Sequence, residues 1–143
     1  MRSGAHAVIS LVVAGLALAL TDPPFAAPVV VGVALAVGLG VDLDHFVLAW
    51  WRTGGLDPVF RCLRDPRILF VEQDAIFEDG DVGAINRLLS HAVIGGVAVP
   101  LCRVVSPYLA GLVGVALYAH LLADLWATSR DRVAVERDDP RIQ

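Results

Sequence analysis

Lysine is absent from this 143-residue chain, and all eleven basic residues are Arg. Against fifteen acids they leave a formal net charge of −4 and form no basic stripe, which argues against nucleic acid as a partner. Cysteine is scarce. Cys62 falls in a polar segment and Cys102 deep in an apolar run, with no second Cys near either, so neither a disulfide nor a thiolate metal site is expected. Charge is sparse over four apolar runs: Gly4 to Thr21, Ala27 to Trp51, Leu88 to Ser106 and Pro107 to Ala127. At 57% hydrophobic residues and a mean hydropathy of +0.68, the chain is too apolar for an ordinary soluble domain and too short for more than one compact unit. Each run is close to the roughly 20 residues that cross a ~30 Å hydrocarbon core as a helix.

The expected fold is therefore an all-α membrane protein, an antiparallel bundle of four transmembrane helices over residues 1–128, followed by a charged, flexible tail over 129–143. Asp22-Pro23-Pro24 and Ser106-Pro107 make short breaks between neighbouring spans. Residues 52–87 form the one long polar connection, a cytoplasmic, partly amphipathic loop between spans two and three. Within it, Asp57-Pro58 suits a helix start with Asp as cap, placing Val59, Phe60 and Leu63 on one face. Ile68 to Val71 reads as a short strand or buried anchor, and Glu72, Asp74, Glu78, Asp79 and Asp81 as a hydrated acidic run. The first run could be mistaken for a secretory signal ending at Ala17-Leu18-Ala19, but it carries His6 and is kept as a span. With four spans, ten Arg fall on the side of the termini and long loop, and only Arg103 toward the other. The positive-inside rule then puts both termini in the cytoplasm of a multi-pass cell (inner) membrane protein.

His6, Asp42, His45, His91, His120 and Asp124 lie in or at the rim of these apolar runs. Such groups are costly in hydrocarbon unless they pair, face water or bind something. Antiparallel packing brings all six to the cytoplasmic end, with Trp50, Trp51 and Trp126 as an aromatic belt. At 1.5 Å per residue, His120 lies about 9 Å and Asp42 about 12 Å below those rings, a shallow site. Asp42 and His45 are three apart, while Arg87 and His91, and His120 and Asp124, are four apart, so each pair shares a helix face. Asp44 points away from Asp42 on an ideal helix; either the span loosens there, or Asp44 orients a His ligand from behind. His6 is a ligand or a hydrogen bonder between helices, and Arg87 a neutraliser of the carboxylates or a binder of substrate phosphate. The mixed nitrogen and oxygen set suits a divalent metal ion, Zn or Mn first, over Ca²⁺, and is large enough to make a two-metal site conceivable.

The ordered elements are an N-terminal His before an apolar helix, Gly40-Val41-Asp42-Leu43-Asp44-His45, Asn86-Arg87-Leu88-Leu89-Ser90-His91 and His120-Leu121-Leu122-Ala123-Asp124. Over residues 4–128 the chain resembles the YdjM-like, LexA-regulated family of predicted inner-membrane metal-dependent hydrolases. That family shows a Pro-Asp-x-Asp-His element, a His-Arg-Gly-x-Thr-His-Ser element and a closing His-x-x-x-Asp. Here Val41 stands for the Pro, Asn86 for the first His, Leu88 for the Gly, and Ser90 and Ala92 for the Thr and Ser. The resemblance implies a reaction class, metal-dependent hydrolysis, without a substrate.

The expected function is hydrolysis of an ester or phosphoester in a lipid or lipid-linked substrate at the cytoplasmic face. In it His6, Asp42, His45, His91, His120 and Asp124 hold metal, Asp44 handles a proton or orients a ligand, and Arg87 meets phosphoryl charge. The alternative is transition-metal binding or transport without chemistry. A haem protein is a third reading, which the neighbouring carboxylates fit poorly.

Overall fold

The computed structural model describes residues 3–69, 76 and 83–138, with side chains in the last helix described as far as Arg130. The described residues form helices and short connections, with no strand among them. In chain order the elements are α1 (Ser3–Leu20), α2 (Ala27–Gly40), a 3-10 turn (Val41–Leu43), α3 (Asp44–Thr53), α4 (Asp57–Arg64), a second 3-10 turn (Pro66–Leu69), α5 (Ala84–Val105) and α6 (Pro107–Asp138). Among the described residues, three helical stretches are long and apolar enough to cross a membrane: Ala27–Thr53, Ile85–Val105 and Pro107–Arg130. Helix α1 is apolar over Gly4–Leu20 but shorter.

Breakers and caps set the ends. Pro23 and Pro24 cannot extend α1, and Pro28 opens α2 in its first turn, where a missing N–H costs nothing. Gly54 takes φ +72° and closes α3, its N–H donating to the Trp50 carbonyl at 2.8 Å. One residue, Ser106, separates α5 from α6. Its N–H donates to the Cys102 carbonyl at 2.8 Å, and its hydroxyl accepts the Leu109 N–H at 3.4 Å, so it closes one helix and caps the next.

The core lies among α1, α2 and α6, where Val13, Ala14, Val30, Ala34, Leu112 and Ala116 are buried together. Half of these six are Ala, small enough to let helices approach closely. Helix α5 packs against α6 and, at one end, against α3. Large apolar side chains point outward instead: Leu11, Leu16, Val29, Leu101, Val104 and Leu125 are all exposed. Small residues inside and large apolar ones outside is the arrangement of a protein solvated by lipid.

Several boundaries differ from the sequence reading. Helix α5 begins at Ala84, four residues ahead of the expected span, and so carries Arg87 on the same helix as His91. Helix α6 runs to Asp138, where a loose tail was expected from Ser129; no Gly or Pro interrupts residues 128–138, and the first Pro beyond them is Pro140. Asp57 is the first residue of α4 and not its cap, which is Leu56. The buried face of α4 is Pro58 and Cys62, four apart, while Phe60 and Leu63 are exposed. Ile68, read as part of a short strand or a buried anchor, lies in the 3-10 turn and packs with Cys62, Ile76 and Phe46 as a buried anchor. Val71 and the acidic run Glu72, Asp74, Glu78, Asp79 and Asp81 lie outside the described residues, as do residues 139–143 of the tail.

Candidate metal centre

The centre is built where the second long helix changes its winding. An unbroken α-helix would offer the Gly38 carbonyl to the Asp42 N–H, but the chain tightens into a 3-10 turn at Val41–Leu43, and His120 Nδ1–H donates to the Gly38 carbonyl at 2.9 Å. Gly38 and Gly40 are weak helix formers, so the change falls where it costs least. Residues turn about 100° each in an α-helix and about 120° each in a 3-10 helix. Asp42 and Asp44 are therefore brought from about 160° apart to about 120°. The span tightens where the sequence reading allowed for loosening, and Asp44 reaches His45 and His91, two of the three imidazoles beside Asp42.

Gly38 has a second role. A Cβ there would collide with Ser10 Oγ, so its absence lets α1 lie against α2. Ser10 in turn donates to the His6 carbonyl at 2.8 Å, one turn back on α1. His6 is thereby carried into contact with α6, where its ring stacks on His120 with centroids 3.8 Å apart and planes at 17°.

All eight residues singled out from the sequence converge. His6 Nε2 lies 3.3 Å from Asp124 Oδ1, and His120 Nε2 lies 3.3 Å from Asp42 Oδ1 and 3.4 Å from Asp124 Oδ2. His91 Nε2 is 3.4 Å from Asp44 Oδ1 and 3.7 Å from Asp42 Oδ1, with its Nδ1 3.7 Å from Asp124 Oδ2. His45 Nε2 is 3.6 Å from Asp44 Oδ1 and 3.7 Å from Asp42 Oδ1. Arg87 Nε stands 3.6 Å from Asp124 Oδ2, and its Nη2 donates to Thr128 Oγ1 at 3.2 Å. His6, His91, His120 and Asp124 are buried. Ligand atoms of His6, Asp42, His120 and Asp124 lie within 4.8 Å of one another, as do those of Asp42, His45 and His91.

These separations fit a metal ion better than they fit hydrogen bonds. A charge-assisted N–H···O bond closes to about 2.7 to 2.9 Å. Four N and O atoms at 2.0 to 2.1 Å from a tetrahedral ion stand about 3.3 Å from each other, the spacing His120 Nε2 and His6 Nε2 keep from their nearest carboxylate oxygens. The anchoring of His120 points the same way. Its Nδ1 is held by a backbone carbonyl while Nε2 faces two carboxylates. A second nitrogen fixed by a carbonyl is the usual support of a metal-bound imidazole. The group is positioned to bind a metal ion.

Reading by sequence missed three supporting groups: the Gly38 carbonyl, the Ser10 hydroxyl and Thr128 behind Arg87. Only a glycine inside an apolar run hinted at the first. Asn86, which stands where the resembled family has a His, is exposed and outside the cluster, five residues and about 140° of helix from His91. Its identity removes no group from this centre. A scan against protein-family models and searches of curated proteins and of solved structures find no match to this chain.

Proposed function

We propose that this chain is a membrane-embedded, metal-dependent hydrolase acting on an ester or phosphoester of a lipid or lipid-linked molecule at the cytoplasmic face. In this reading four antiparallel helices cross the bilayer with both termini in the cytoplasm, as the Arg distribution favours. The observation that carries it is the geometry of His120, whose Nδ1 is fixed by the Gly38 carbonyl while Nε2 stands 3.3 and 3.4 Å from two carboxylate oxygens.

A bound divalent ion, Zn or Mn, would acidify a water molecule and polarise the phosphoryl or carbonyl oxygen of the substrate. His6, Asp42, His120 and Asp124 would hold it from α1, α6 and the 3-10 turn. Asp44 sits beside His45 and His91 with no hydrogen-bond partner on either carboxylate oxygen among the described residues, so Oδ1 or Oδ2 can accept a proton. Arg87 holds Asp124 and is itself held by Thr128, and its charge meets that of a phosphoryl group. A lipid substrate is favoured by the outward-facing apolar side chains around the helices and by the shallow placement that the Trp belt leads us to expect.

The test is a panel of phosphoesters, carboxylesters and amides in mixed micelles with detergent-purified protein, before and after chelation and with Zn or Mn restored. Turnover that chelation abolishes and metal restores, and that Asp44→Asn lowers by about 100-fold, is the expected result. A protein that holds metal yet turns over nothing in the panel would instead make the cluster a metal-binding or transport site.

A further inference from the structure

The ligands divide into two sets that differ in enclosure. His6, His120 and Asp124 are each 1% exposed. On the other side of Asp42, the His45 and Asp44 side chains are 14% and 12% exposed, and Asp42 itself 22%. Asp42 Oδ1 belongs to both sets, 3.3 Å from His120 Nε2 and 3.7 Å from the Nε2 of both His45 and His91. A second, independent observation marks the outer set. His91 is only 3% exposed, and neither of its ring nitrogens has a hydrogen-bond partner among the described residues. An imidazole enclosed in that way costs free energy unless something binds it.

Charge decides how the two sets fill. Among the described residues, and taking the imidazoles as neutral ligands, Asp42, Asp44, Asp124 and Arg87 sum to two negative charges, which one divalent ion cancels. A second ion would leave two positive charges uncompensated in a low-dielectric setting. An anion of two negative charges, such as a phosphate monoester or inorganic phosphate, restores neutrality.

We infer that the cluster is a pair of unequal metal sites sharing Asp42: an enclosed site (His6, His120, Asp124) that holds its ion tightly, and a second site (His45, His91), less enclosed at His45, whose ion binds together with a phosphate dianion. This rests on the reading of the cluster as a metal centre and deepens it by assigning the substrate class, a dianionic phosphomonoester. Binding at the two ligands is reciprocal, so phosphate must tighten the second ion by the factor by which the ion tightens phosphate.

The experiment is Mn²⁺ titration of chelator-stripped full-length protein in detergent, followed by elemental analysis and by electron paramagnetic resonance, with and without inorganic phosphate. Expected are two equivalents per chain, the second at least tenfold weaker than the first and tightened about tenfold by phosphate, typical of coupled sites. A spin-coupled pair signal is expected only when both are bound. His45→Ala, with His45→Gln beside it in case the first is poorly folded, keeps the first equivalent and loses both the second and the phosphate effect. Asp42→Asn loses the pair signal. One equivalent at every phosphate concentration overturns the inference and leaves the metal-centre reading intact; no bound metal overturns both. Two equivalents indifferent to phosphate, or a second equivalent retained in both His45 variants, also overturn it.

Discussion

Gly38→Ala places one methyl group where α1 meets α2 and where His120 is anchored. The new Cβ collides with Ser10 Oγ and comes to 3.6 Å from the His6 carbonyl. Overpacking of this kind costs about 1 to 3 kcal/mol, and a displaced Gly38 carbonyl forfeits about 1 kcal/mol more from the His120 hydrogen bond. Alanine is the better helix former by about 1 kcal/mol, so the net destabilisation is about 1 to 3 kcal/mol. Metal affinity should fall about 10- to 100-fold, the usual cost of losing the group that orients a metal-binding imidazole. Removing the obstacle tests the cause. In Ser10→Ala/Gly38→Ala the hydroxyl is gone and the two Cβ atoms approach to 3.2 Å, tight by only a few tenths of an ångström. The double variant should recover most of the lost stability, a coupling of about 1 to 2 kcal/mol within the range seen for residues in contact. The assay is reversible denaturation in mixed micelles for the four members of the cycle, with Zn²⁺ or Mn²⁺ affinity measured on each. A Gly38→Ala protein within 0.5 kcal/mol of wild type with unchanged metal affinity, or a double variant no better than the single, would refute the crossing at Gly38.

Arg87→Ala should weaken metal binding about 10-fold by freeing Asp124, a loss measured by competition with a chromophoric chelator. Asn86→Ala, on the exposed side of α5, should leave metal content unchanged and stability within about 0.5 kcal/mol. Burial pushes the Cys62 thiol above its usual pKa, so its thiolate appears only at higher pH; maleimide should label it slowly at pH 7, and faster as pH rises or when denaturant opens the contact with Phe46, Ile68 and Ile76. Reporter fusions after Thr21 and at Gln143 should fall on opposite sides of the membrane, and the same side for both would refute the four-span topology.

Much of the centre was legible because ionisable residues are conspicuous in apolar runs. His91, His120, Asp124 and Asp42 could be put on one level from helix rise alone. Asp44 could not, since its arrival depends on a local change from α to 3-10 winding that hydropathy does not encode. The Gly38 carbonyl was equally hidden: among glycines spaced along apolar helices, nothing in the sequence distinguishes the one on which a neighbouring helix closes. On α4, the face read from Phe60 and Leu63 is exposed, while the inward positions Pro58 and Cys62 carry no apolar pattern by which the sequence could have marked them. The extension of α6 to Asp138 was missed because a charged segment with few apolar anchors has no buried stripe by which a helix is recognised.

The most direct test of the central claim is elemental analysis of detergent-purified wild-type protein beside His120→Ala and Asp124→Ala, with circular dichroism to confirm retained helix. Wild type should carry at least one equivalent of Zn or Mn, bound through N and O atoms at about 2.0 to 2.2 Å by X-ray absorption. Each variant should retain its helix and less than about a tenth of that metal, given the loss of a direct ligand. Wild type that stays metal-free when Zn and Mn are supplied, or variants that keep a full equivalent, would contradict it.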